Sequence, residues 1–502
     1  YMSKLETVYV PAGAYSDYAT AYKAYLPSTA RMKAIGATED FQIDDGVLTA
    51  YLGNGGEVVI PERVTEIGTS AFQNCTALTK VTIPESVTTI GSYAFSGCTG
   101  LTEVIFSEGL REIGSYAFSG CTVLRGMAFP TSLTTIGTDA FFGCTSLAEV
   151  AFNEGLQEIG SAAFNGCKAL RTVTFPASLT SINDSAFGSC SGLSGGLVIP
   201  AAVTRIGNRA FYDCTGLDGK LIIEAGKAKT IGEYAFSGCS KLSGVELGNG
   251  ITSIGKYAFS GCSGLRGDLV IPDSVTSIGG SAFSSCGFDG TLTLSANLTS
   301  LGSYAFEYCK GFTGELVIPD KVTKLEKCAF SGMSGITSLV FGESVTSIYT
   351  SSNFDGYTYN ALYGMTGVTE VTFTGMNVPT MRADNYTPYS PFYSMSKLKT
   401  VYVPAGAYSD YATAYKTYLP STARMKAIGA TEDFQIDDGV LTAYLGNGGE
   451  VIIPEEVTEI GTSAFQNCTA LTKVTIPESV TTIGTYAFRG CTGLTEVTIP
   501  KS

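Results

Sequence analysis

A β-rich solenoid is the fold class this sequence predicts, and three observations predict it. Eight apolar positions, Leu78, Val81, Ile83, Val87, Ile90, Ala94, Phe95 and Cys98, recur 23 residues later as Leu101, Val104, Phe106, Leu110, Ile113, Ala117, Phe118 and Cys121. A fixed period this short is the mark of stacked coils. Each unit also carries an Ala-Phe-x-x-Cys signature, its phenylalanine at Phe72, Phe95, Phe118, Phe141, Phe164, Phe187, Phe211, Phe236, Phe259, Phe283 and Phe306. Finally, residues 2–104 reappear at 395–497 with six differences, among them Arg63 against Glu456. One unit cannot bury its own apolar edge, so neighbours must cover one another until a cap closes the end.

Within a unit, Val81 and Ile83 alternate with Lys80 and Thr82, which predicts one short strand with its apolar side inward. Pro84 ends that strand because it has no ladder N–H to give. After the apolar pair Val87 and Ile90 comes Gly91, where a positive φ is expected to let the chain turn. Asn183 stands at the matching place further on, and asparagine tolerates that conformation best among the non-glycine residues.

The resulting pattern, L-x-x-V-x-I-P-x-x-V-x-x-I-G-x-x-A-F-x-x-C, resembles the BspA-like (treponemal-type) leucine-rich repeat family of bacterial and protozoan surface proteins. The resemblance covers nearly the whole chain. It implies a curved, right-handed stack of coils with one parallel strand each and short helical caps between modules. It also implies a cell-surface or secreted protein that adheres to host cells, matrix proteins or other microbes.

Composition narrows the function. Of 502 residues, 44% are hydrophobic and 15% charged, which leaves Ser, Thr, Gly and Tyr to cover the outside and suits an extracellular protein. The net charge of −14 is spread thinly, with no run of Lys or Arg, so neither nucleic acid nor membrane insertion is expected. No apolar stretch approaches the ~20 residues of a membrane span. Thirteen of the fourteen cysteines share one interior place in their units, and Met333, Met365 and Met395 take that place elsewhere. A place that accepts methionine wants an apolar, polarisable filler, so a ladder of buried reduced thiols is expected, with Cys328 as a more exposed exception.

In chain order, residues 1–37 read as the C-terminal end of a preceding module, with Tyr15, Tyr18, Tyr22 and Tyr25 along one face of a helical cap. Residues 38–430 read as a complete module. A β-meander over 41–61 opens it at two turn signals, irregular Tyr-rich units occupy 349–395, and a helical cap over 405–428 closes it. Residues 431–502 begin a duplicated module. Tyr1 falls in the middle of a repeat, so the chain is expected to continue before it.

No histidine occurs, which removes the commonest general base and metal ligand. With no C-x-x-C or phosphate-loop pattern either, no enzyme, metal or cofactor is expected. Arg266-Gly267-Asp268 spells the tripeptide that integrins recognise, but Ser194-Gly195-Gly196, Asp218-Gly219-Lys220 and Thr313-Gly314-Glu315 occupy the same place, so the glycine is assigned to a turn and its flanking charges to chance. Two surfaces remain as candidates for a protein partner. One is the outward face of the strands, with Lys80, Glu103, Glu149, Thr172, Thr174, Lys220, Asp268 and Glu315. The other is the irregular region, where Tyr349, Tyr357, Tyr359, Tyr363, Tyr386, Tyr389 and Tyr393 sit among Asn, Asp, Gly and Pro, the chemistry of recognition loops. A passive spacer and a carbohydrate-binding accessory module are the alternatives to an adhesin.

Overall fold

The regular coils add a second strand to the one the sequence displays, except around Thr172, where the first is reduced to a single bridge. In the computed structural model, which describes residues 7–10, 31–34, 40–227, 229–351, 360–383, 390–404, 407–415, 417–428 and 433–500, the chain divides into two compact units, Tyr1–Phe288 and Asp289–Ser502.

In the first unit the expected strands, such as Gly56–Val59, Leu78–Ile83 and Glu103–Phe106, pair in parallel with Val58 beside Val81 and Val81 beside Val104. A second, shorter strand follows the proline. Glu66–Ile67, Thr89–Ile90, Glu112–Ile113, Thr135–Ile136 and Glu158–Ile159 run on in one parallel sheet to Ser277–Ile278. The short apolar pair Val87 and Ile90 hides this strand, because only two residues per coil reach the ladder. At the unit's start, the meander expected over 41–61 is instead an antiparallel hairpin, Phe41–Asp44 with Val47–Tyr51. Its second strand pairs in parallel with Glu66–Ile67, and Gly56–Val59 leaves for the other sheet.

The turn glycines have a different cause from the one expected. Gly91, Gly114, Gly137, Gly160 and Asn183 do not adopt positive φ. They sit where a Cβ would strike the preceding coil: at Gly160 it would lie 2.5 Å from the Gly137 carbonyl carbon and 2.7 Å from the Thr138 nitrogen. Asn183 is admitted by a slight widening. Its N–H reaches the Ile159 carbonyl at 3.0 Å, against 2.6–2.8 Å for Gly91, Gly114, Gly137 and Gly160 on their own partners, and its amide bridges Glu158 and Arg205. Gly160→Val therefore forces two backbones apart and is expected to lower the stability of the first unit by about 2–3 kcal/mol; a urea midpoint equal to the parent's refutes this reading.

Positive φ falls two and six residues after the glycine. Tyr93, Tyr116, Asp139, Ala162, Ser185, Arg209, Tyr234 and Tyr257 all have φ of 50–59°, although side chains disfavour this conformation. The ladder offsets that cost. Left-handed residues alternating with ordinary ones aim every second N–H at the next coil, so Tyr93, Phe95 and Gly97 donate to the carbonyls of Ser115, Ala117 and Ser119 at 2.7–2.9 Å.

Inside, the Ala-Phe phenylalanines form one continuous stack. Phe118, Phe141, Phe164, Phe187 and Phe211 lie 5.1–5.3 Å apart with planes within 6°. That spacing matches the ~4.8 Å between strands, so one ring per coil fills the column. Phe129, Phe152 and Phe175 meet this column edge-on. The cysteines are free thiols, and those beside the column from Cys98 to Cys286 donate to a phenylalanine carbonyl of the preceding coil, as Cys144 does to Phe118, Cys167 to Phe141 and Cys190 to Phe164 at 3.1–3.3 Å. The thiol is thus a donor as well as a filler, which methionine could not reveal. Cys328, expected to be more exposed, is 3% exposed, although its backbone takes the left-handed place.

The second unit repeats the plan with longer insertions. Gly314–Ile318, Ile336–Phe341, Glu370–Phe373, Thr400–Val403 and Arg424–Ala427 form a five-stranded parallel sheet. Of the helical cap expected over 405–428, the helix covers Tyr408–Tyr415, and the strand Arg424–Ala427 covers much of the rest. Tyr411 and Tyr415 are fully buried against Phe373, their hydroxyls donating to the Gly375 and Pro379 carbonyls at 2.9 and 2.6 Å. Burial pushes the Tyr411 phenol up to about 12 and that of Tyr415 further. The stripe read at Tyr15, Tyr18, Tyr22 and Tyr25 lies outside the described residues. A second hairpin, Phe434–Asp437 with Val440–Tyr444, reproduces that of the first unit with its own core around Leu441, Val457, Ile460 and Phe465.

Candidate binding surfaces

The strand face of the first unit carries two outward rows. Residues flanking the inward Val58, Val81 and Val104 alternate to the outside, so Glu57, Lys80 and Glu103 are aligned in one row, and Val59, Thr82 and Ile105 in the next. Lys80 and Glu103 form an ion pair at 3.1 Å. Glu149 is exposed and bridged in parallel to Thr172. Lys220 pairs with Glu246 on the adjacent parallel strand. The second row also exposes apolar side chains, where the sequence reading named charged and small polar residues: Val59 is 69% exposed, Val198 45% and Val270 58%. The signal was present in the sequence as a β-branched residue between two inward ones, but a strand buried on both faces would look the same. In the second unit Glu315 accepts from Ser338 at 3.2 Å, and Val317 is exposed two residues on.

Among the described residues, the irregular region exposes Tyr363 and Tyr393 and buries Tyr349. Tyr357, Tyr359, Tyr386 and Tyr389 lie outside the described residues. Tyr363 and Tyr393 are exposed and take the same place in consecutive coils, each directly after the inward Leu362 or Phe392. Tyr349, expected to contact a partner, is 2% exposed. It replaces a turn glycine, and its ring is covered by the cationic groups of Lys327 at 5.0 Å and Arg382 at 5.4 Å, with Arg382 also bonded to Glu326. That substitution of glycine by Glu326 and Tyr349 therefore builds a cluster in which two cations cover the Tyr349 ring. Arg266 is likewise occupied: its Nη1 donates to the carbonyls of Ser263, Leu265 and Gly287 at 2.7–3.0 Å, and Gly267 has φ of 79°, as a turn requires.

A third surface escaped the sequence reading. The left-handed place projects its side chain outward, so tyrosines there stack along the coils: Tyr93 on Tyr116 at 4.7 Å and 3°, Tyr234 on Tyr257 at 4.7 Å and 11°. Tyr116 also bonds Asp139, which raises its pKa. The recurring Ser-Tyr-Ala-Phe tetrapeptide was the available signal. Between these two pairs the row drops to Ala162 and Ser185, and a hollow of about 430 Å³ opens, lined by Asn165, Ser185, Gly188, Arg209, Tyr212 and Tyr234.

Among the described residues no group of three or more His, Cys, Asp or Glu could hold a metal ion, and no helix is long and apolar enough to cross a membrane. Two parallel ladders per coil, one aromatic column and one thiol column define a solenoid repeat protein whose chemistry lies on its outer faces. The model of the BspA type leucine rich repeat region matches six stretches, 65–194, 124–227, 195–313, 229–360, 314–416 and 444–502, and the chain belongs to this family. It is similar to a leucine rich cell surface protein from Faecalibacterium prausnitzii, at 27% identity over 70% of this chain and 93% of that one, with a TM-score of 0.40. A leucine rich repeat protein of T. pallidum is 33% identical over 41% of this chain and 89% of its own, with a TM-score of 0.33. No curated protein matches the chain.

Proposed function

We propose that this is a non-catalytic surface or secreted protein that binds a protein partner through the outward strand face, and that the contact serves adhesion to host cells, matrix proteins or other microbes. The observation that carries the reading is the pairing of the two rows on one face. Exposed Val59, Val198 and Val270 supply area to bury, and Lys80, Glu103, Glu149 and Lys220 beside them supply orientation. Membership of a leucine-rich-repeat family supports a binding role for an extended surface of this kind. The test is capture of purified matrix proteins by the immobilised full chain. Val198→Asp together with Val270→Asp is expected to abolish capture and leave the melting temperature unchanged, since both side chains already face solvent. Capture that survives both substitutions moves the site elsewhere.

A passive spacer is the second reading, favoured by the near-identity of residues 2–104 and 395–497, which extends a stack without altering its surface. Silence of the unmodified chain across matrix proteins and host cells is its expected result.

A further inference from the structure

We propose that the hollow at Ser185 is a saccharide site, specific for a pyranose ring that bears a carboxylate, of the uronic-acid type. It lies on the turn face of the first unit, in rows of the coil other than the strand rows assigned above to a protein partner.

The hollow exists because two neighbouring rows lose their side chains in one coil. In the left-handed row Tyr116 and Asp139 give way to Ala162 and Ser185 before Arg209 and Tyr234 restore bulk. In the row three residues on, Asn165 and Tyr212 stand either side of Gly188. A space about one sugar ring wide is left, with Asn165 at one end and the aromatic pair at the other.

Three properties of that space select the ligand. Tyr212 and Tyr234 both line the space and meet at 75° with centroids 6.5 Å apart; Tyr234 has Tyr257 on one face and the Arg209 guanidinium over its ring, so the aromatic surface offered to the C–H face of a pyranose is that of Tyr212, with the polar rim beside it for the hydroxyls. The floor and far wall are polar, supplied by Ser185 and Asn165, which suits hydroxyl groups and disfavours an aliphatic side chain. The guanidinium of Arg209 lies over the Tyr234 ring at 5.3 Å, and among the described residues it forms no ion pair or hydrogen bond. By contrast Arg205, on the adjoining strand, is already bonded to Asp184 and Asn183. In a chain of net charge −14, an arginine held by an aromatic ring and left without a carboxylate is a fork awaiting one, and planar bidentate pairing with a carboxylate is what guanidinium does best.

The repeat itself supplies the decisive variant. Tyrosine occupies the Ser185 place at Tyr93, Tyr116, Tyr234 and Tyr257, so Ser185→Tyr fills the hollow with a side chain the backbone already accommodates. The experiment is calorimetric titration of the full chain with tetragalacturonic acid, with its neutral counterpart galactotetraose and with an acidic tetrapeptide of equal charge. The acid oligosaccharide is expected to bind and the other two to bind at least about tenfold more weakly. Ser185→Tyr is expected to abolish binding without lowering the melting temperature, and Arg209→Ala to weaken it at least about tenfold. Arg209→Lys keeps the charge and loses the fork, so it is expected to fall between. Absence of binding by the parent chain overturns the proposal, as does equal affinity for the peptide, or affinity unchanged in Ser185→Tyr.

Discussion

Phe164→Ala is expected to lower the stability of the first unit by about 3–5 kcal/mol, the range for removing a large aromatic from a packed interior. The ring is fully buried, stacked on Phe141 at 5.1 Å and on Phe187 at 5.2 Å, with Phe152 edge-on at 5.7 Å. Its loss breaks two stacked contacts and one edge contact, each adding about 0.5–1.5 kcal/mol beyond burial. Collapse cannot heal the gap. The residue's own N–H and carbonyl are pinned to Ala186 at 2.7 Å and to the Cys190 thiol at 3.1 Å, so the backbone cannot close on the cavity without breaking ladders on both sides. Because each coil touches only its neighbours, the damage should remain local. Hydrogen exchange is expected to accelerate around residues 141–187 and much less near Phe72 or Phe259. Urea unfolding should turn from one transition to two. A loss below about 1 kcal/mol would show that the column is not what holds adjacent coils together.

How far this arrangement could be read in advance follows from what each residue reports. Period and inward face were legible because Phe95 and Cys98 recur without exception in the regular coils and the place of Val81 is always apolar, and burial selects on side-chain type. The causes were less legible. Glycine at 91 and 160 answers both a positive φ and a close approach, and composition does not separate the two; the sequence suggests the first and the structure has the second. Tyr93 and Tyr116 carry the left-handed turn that was assigned to glycine, since a continuous ladder outweighs the local preference. The strand rows lay where alternation puts them, whereas Tyr349 changed role because two cations from other coils cover it, and no local pattern encodes contacts of that range. The hollow at Ser185 shows the same limit: it is made of residues that are missing from two rows, and a motif search looks for residues that are present.

Alkali is expected to unfold the first unit steeply, at a pH where most domains of its size persist. Burial pushes the Cys190 and Cys239 thiols up to about 12 and holds those of Cys121, Cys144, Cys167, Cys214 and Cys262 well above the usual thiol range. An exposed thiol titrates near pH 8.5–9. Above that value the unfolded chain gives up protons that the folded one must keep, so folding stability is complete below about pH 9 and falls as pH rises toward 12. Each thiol contributes about 1.4 kcal/mol per pH unit across that window, and the seven act on one unit, for a combined slope on the order of 10 kcal/mol per pH unit. A folded unit worth about 5–15 kcal/mol cannot withstand that for much more than one unit of pH. Circular dichroism of the full chain between pH 7 and 12, under a phosphine reductant, should therefore show a sharp loss near pH 10, with thiolate absorbance rising in the same step. Cys167→Ala removes one rung and is expected to make the transition shallower by one thiol's share, which separates the thiols from lysine titration. Thiolate absorbance that develops while the strands remain intact would mean that these sulfurs are reached by water in the folded coil, and the column of buried donors along the phenylalanine carbonyls would have to be abandoned.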